Sequence, residues 1–192
     1  MDAIIDKKKI PLSLLGELNE TDLTNASDTD LRDALERDGY LFLRNIINPK
    51  EIEIARNDIF KRLKDVDELK EPYEDGIASG DSSRDKIHND RGHFWEKVSW
   101  SKPLREVTNG KNLENIFSKI FGTPSTGFDF IFLRAVAGGK FTHMHCDAGF
   151  FTRLTQKILT CWLVFTEITL DKGPLFVIEG SHKFKAIQEK YI

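Results

Sequence analysis

The order of elements along the 192 residues predicts an α+β protein, helices first and sheet after. Three observations carry that prediction. Apolar residues recur at helical spacing through the first 125 residues. From Gly127 onward they gather instead in short runs rich in aromatic and β-branched side chains. Glycine and proline punctuate those runs. The length suits one domain, 1–192, divided into a mainly helical region, 1–125, and a strand-rich region, 126–192.

In DTDLRDALERD, residues 28–38, Leu31, Ala34 and Leu35 share one helical face. Asp28 or Thr29 is the expected cap and Gly39 the stop. Tyr40 to Arg44, YLFLR, predicts a short strand. Pro49 opens a second helix with Ile52, Ala55, Ile59 and Leu63 along its apolar stripe. Residues 65–92 are acidic, contain Gly76, Gly80 and Gly92, and predict a long surface loop; loops of that length are usually functional lids or mobile. Within it, DVDELKEPYEDG lacks the ligand spacing of a calcium-binding EF-hand loop.

GHFWEKVSW and NLENIFSKIFG read as short helices. FDFIFLRAV, KFTHMHCD, ILTCWLVFTEI and GPLFVI read as four strands, and FKAIQEKYI as the start of a helix. Most of the 14 Phe fall between positions 94 and 184, which places the expected larger core there.

A net charge of −3 and no basic stripe argue against a nucleic-acid partner. No 18-residue apolar run offers a membrane span. The first residues lack the apolar segment of a signal peptide. Cys146 and Cys161 read as reduced thiols, so the expected location is cytoplasmic.

The chemistry concentrates in THMHCD, residues 142–147. On a strand, alternate side chains share a face, with Cα atoms about 6.5–7 Å apart. His145 and Asp147 can therefore lean onto one ion with bonds of about 2.0–2.2 Å. His143 shares that face but lies about 13 Å from Asp147, so all three cannot hold one small ion. The pair is either His143 with His145 or His145 with Asp147. Two histidines and a carboxylate on one face, with open positions opposite, is the arrangement of non-haem Fe(II) oxygenases. A cupin-type reading would use His143 and His145, but Ala137, Gly149 and Phe150 stand where that pattern wants a glycine and a glutamate. Arg134 and Arg153 offer contacts for a carboxylate or phosphate.

The stretch LRAVAGGKFTHMHCDAGFFTR, then LTCWLVF, then LDKGPLFVIEGSHK, resembles the phytanoyl-CoA dioxygenase family of Fe(II)/2-oxoglutarate oxygenases. The resemblance covers roughly residues 30–190. It implies N-terminal helices packed on a double-stranded β-helix (jelly-roll, cupin-like) core, incomplete at its C-terminus. It implies iron binding by His145 and Asp147. Trp162 would lie against 2-oxoglutarate, with Cys146 in the same cofactor site. Phe150 would stand near the substrate mouth with Arg153, admitting a small organic substrate. The implied reaction is hydroxylation coupled to oxidative decarboxylation of 2-oxoglutarate. The family's distal histidine and its 2-oxoglutarate-binding arginine have no match: His182 is the only histidine after Asp147, and no arginine follows Arg153. The expectation is an open barrel edge that self-associates or takes a completing chain. The alternative is a non-catalytic barrel module that binds a small molecule or a partner.

Overall fold

The computed structural model describes residues 2–87, 91–133, 141–151, 155, 157–186 and 189. A β-hairpin comes first. β1 (Asp2–Ile5) pairs antiparallel with β2 (Lys8–Pro11), Asp2 opposite Pro11 and Ile5 opposite Lys8. Asp6 and Lys7 turn the chain with φ of 49° and 66°, the left-handed conformation that a tight two-residue hairpin turn requires.

α1 (Asp28–Asp38) buries Leu31 and Ala34. Its cap is Ser27, one residue earlier than expected. The Ser27 hydroxyl accepts from the Asp30 amide, and the Asp30 carboxylate accepts from the Ser27 amide, a reciprocal capping box. Gly39 closes the helix at φ 79°. The strand predicted at Tyr40 to Arg44 reduces to one parallel bridge, Glu20 with Phe42. α2 (Pro49–Lys64) starts as predicted, with Asn48 as cap and Pro49 in the first turn, and buries Ala55, Ile59 and Leu63.

The predicted loop after α2 is tied down between residues 66 and 83. Leu69 bridges Ala78, and the Ser83 amide donates to the Val66 carbonyl at 2.8 Å. Arg84 Nη2 donates to Glu68 Oε2 at 2.6 Å, and the Arg84 guanidinium lies 3.9 Å above the Phe94 ring. α3 (Arg84–Ile87), α4 (Arg91–Ser99), α5 (Lys102–Thr108) and α6 (Lys111–Phe121) complete the helical layer. α2 packs on α5 and α1 on α6.

The core differs from the sequence expectation. Its buried cluster is Ile59, Leu63, Val66, Leu69, Phe94, Val98 and Leu104, all in the helical layer and its tied loop. The phenylalanines further on do not form a second core. Phe128, Phe130 and Phe132 are exposed.

The second correction concerns the β-helix. Among the described residues, β1 and β2 form the one named sheet, and no double-stranded β-helix core is present. The described residues of the four apolar runs expected as strands carry the right side chains but form no ladder. A strand exists only when a neighbour accepts its backbone hydrogen bonds, which is a non-local condition. Here the first run is bound to helices instead. The Ile131 amide donates to Ser99 Oγ at 3.0 Å, and Arg105 Nη1 donates to the Asp129 carbonyl at 3.1 Å. Ile131, Leu133 and Phe165 rest half-buried on the helical core, while Phe132, Trp162 and Val164 face outward. After the second run, a single turn, α7 (Ala148–Phe151), follows THMHCD directly. Among the described residues no helix is long and apolar enough to cross a membrane.

Candidate metal site

Residues 141–147 run irregularly into α7, not as the predicted strand. The Phe150 amide donates to the Asp147 carbonyl at 2.9 Å, so the chain bends at Asp147. The bend still brings two donors together: His145 Nε2 stands 3.2 Å from Asp147 Oδ1. Two donors each about 2.1 Å from one ion, at right angles, stand about 3.0 Å apart. The observed spacing therefore suits two adjacent positions around a metal.

The far atoms of both side chains are held. His145 Nδ1 lies 2.7 Å from the His143 carbonyl. A carbonyl only accepts, so Nδ1 carries the proton and donates it. This leaves Nε2 to face the Asp147 carboxylate. Two lone pairs at that distance repel, and a positive charge between them removes the conflict. A cation bound by both groups would supply that charge. On the other side, Thr160 Oγ1 donates to Asp147 Oδ2 at 2.7 Å, which leaves Oδ1 directed at His145. Such outer partners fix the orientation of metal ligands.

The third member of the motif points elsewhere. His143 Nδ1 donates to the carboxylate of Asp6 on the hairpin turn, and its ring lies edge-on to Phe141 at 4.9 Å between centroids. His182 is also engaged away from the pair. Its Nε2 lies 3.0 Å from the Glu36 carbonyl at the end of α1, and Lys183 Nζ donates to the Arg37 carbonyl at 3.2 Å. Among the described residues, no three His, Cys, Asp or Glu side chains stand where they could hold one metal together.

Trp162 lies two residues beyond Thr160 and is exposed. Phe150 is exposed, whereas its neighbour Phe151 packs toward Phe128 and Phe132 at 5.8 and 6.0 Å. Cys146 is a half-buried free thiol, and Cys161 is also free. Arg153 and Arg134 lie outside the described residues. An open groove of about 320 Å³ lies between α1, α6 and residues 157–159, with Leu35, Ile120 and Leu159 on its walls; none of the predicted site residues lines it. Sequence reasoning missed Thr160 and Asp6. Thr160 sits two residues before Trp162 in a run read only for its apolar content, and Asp6 is remote in sequence.

No solved structure matches this chain. Two curated relatives do, each called phytanoyl-CoA dioxygenase domain-containing protein 1 homolog. The Caenorhabditis elegans protein is 26% identical over 190 residues, covering 80% of this chain. The Caenorhabditis briggsae protein is 25% identical, covering 81%. The match spans 65% of the length of each relative. The family model described as phytanoyl-CoA dioxygenase matches residues 35–191, which takes in α2 to α7, the His145–Asp147 pair and Thr160. With most of its length so matched, the chain belongs to the phytanoyl-CoA dioxygenase family.

Proposed function

We propose that this chain carries the metal-holding part of an Fe(II)- and 2-oxoglutarate-dependent dioxygenase that hydroxylates a small organic substrate. The supporting observation is the His145–Asp147 pair, 3.2 Å apart, with the outer atom of each side chain tied by a hydrogen bond. An imidazole and a carboxylate in adjacent positions suit Fe(II) and form two members of a two-histidine, one-carboxylate face. When bound with 2-oxoglutarate and O2, iron supplies the oxidising power for hydroxylation.

The protein's own part is to bind and orient. His145 Nε2 and Asp147 Oδ1 are the ligand atoms. The His143 carbonyl keeps the proton on His145 Nδ1, and Thr160 keeps Asp147 Oδ1 turned inward. Trp162 and Cys146 belong to the cosubstrate side, Phe150 and Arg153 to the substrate mouth. The third ligand would come from a completing chain. Two free thiols suit a reducing, cytoplasmic setting.

The test is an anaerobic titration with Fe(II) and 2-oxoglutarate, following the weak visible band of the chelate. The band is expected in the parent and absent in Asp147→Ala. A parent that binds neither component leaves the rival reading, a non-catalytic module of the same descent that binds a small molecule or partner.

A further inference from the structure

We infer that Asp6, at the tip of the N-terminal hairpin, is a positioning residue for the His145–Asp147 pair. Asp6 and His143 are 137 positions apart, yet the Asp6 carboxylate accepts the proton of His143 Nδ1. That bond, with the edge-on packing against Phe141, fixes the His143 ring. The His143 peptide is fixed with it, and its carbonyl receives the His145 Nδ1 proton at 2.7 Å. The relay therefore runs from the hairpin turn, through one histidine, to the tautomer of the next. Only the Nδ1–H tautomer leaves His145 Nε2 free to share a cation with Asp147. Without the carboxylate, the His143 ring turns into water and its carbonyl loses its aim. His145 then divides between two tautomers, and the Nε2–H form presents a proton where a cation would bind.

The hairpin itself supplies a clean variant. Asp6 sits at φ 49°, a conformation glycine and asparagine adopt readily. Asp6→Gly therefore keeps the turn and removes only the carboxylate. Asp6→Asn keeps the turn and a weaker acceptor. The first measurement uses the metal-free full chain. Ring-nitrogen NMR shifts of His145, at about pH 8 where an ordinary imidazole is neutral, report its tautomer. The parent is expected to hold Nδ1–H, Asp6→Gly to show both forms, and Asp6→Asn to fall between. His143→Ala should reproduce Asp6→Gly, and the double variant should add nothing. Unchanged His145 shifts in Asp6→Gly overturn the inference.

The second measurement rests on the metal reading above. It titrates the same proteins with Co(II), whose visible spectrum reports ligation. Asp6→Gly is expected to bind about tenfold more weakly than the parent, with the thermal unfolding midpoint unmoved. Equal affinity in the two proteins overturns the inference. Failure of the parent to bind Co(II) overturns the metal reading alone, because the tautomer measurement still decides the role of Asp6.

Discussion

Thr160 has one visible task, a 2.7 Å hydrogen bond to Asp147 Oδ2. Thr160→Val keeps the shape and removes the donor. It should weaken Co(II) binding about tenfold while leaving stability within about 0.5 kcal/mol, since the site is exposed. Calorimetric titration beside a urea melt separates the two effects. Gly39 offers the opposite case. Its φ of 79° is left-handed, and a Cβ there would press into the His182 ring. Gly39→Ala should cost about 1–2 kcal/mol in urea unfolding and leave metal binding unchanged. His145 and Asp147 were legible in the sequence because residue type and a spacing of two suffice to nominate them. Thr160 was not, because one hydroxyl in an apolar run carries no pattern. Asp6 was not, because its partner is chosen by tertiary structure.

At the scale of elements, the joint between α2 and α5 depends on Asp58. Arg62 Nε donates to Asp58 Oδ2 at 2.7 Å, and Ser101 Oγ donates to the same oxygen at 2.5 Å. Burial pushes the Asp58 carboxyl up, but the hydrogen bonds from Arg62 and Ser101 and the Arg62 charge outweigh it. The group ends below the usual carboxylate range. A depressed folded value means the stabilisation is complete above the unfolded value of about 3.9 and is lost as pH falls through the folded one. Asp58→Asn should therefore cost about 1–2 kcal/mol at neutral pH. The gap to the parent should close below about pH 4 in unfolding curves taken across pH.

The Glu68–Arg84 pair closes the 66–83 loop, with side chains 15% and 14% exposed. Glu68→Ala should destabilise by about 2 kcal/mol and admit limited proteolysis within that loop. α1 and α2 were legible because their period and caps are local: Pro49 marked a start, and Gly39 marked a stop. Strands were not, because apolar runs state what a strand would bury and not which backbone it would pair with. The β1–β2 hairpin escaped notice for a related reason, since its turn uses Asp6 and Lys7 where glycine would have announced it.

For the whole molecule, the governing contrast is between a buried helical layer and an uncovered aromatic surface. Phe128, Phe130 and Phe132 are exposed, and so are Trp162 and Val164. Exposed apolar area on that scale favours association. Sedimentation velocity of the full chain should show a concentration-dependent shift toward larger species. Phe132→Lys should reduce it without changing the far-ultraviolet circular dichroism.

The contact of His182 and Lys183 with the carbonyls of Glu36 and Arg37 also has a kinetic meaning. Each spans 146 positions of the chain. Closing so wide a circuit costs entropy before it returns any enthalpy. During synthesis the Glu36 and Arg37 carbonyls are therefore met by water until residues made long after them arrive. Pulse-labelled amide exchange during refolding should find the amides of α1 protected before those of Lys183 and Phe184 in the turn that docks on it.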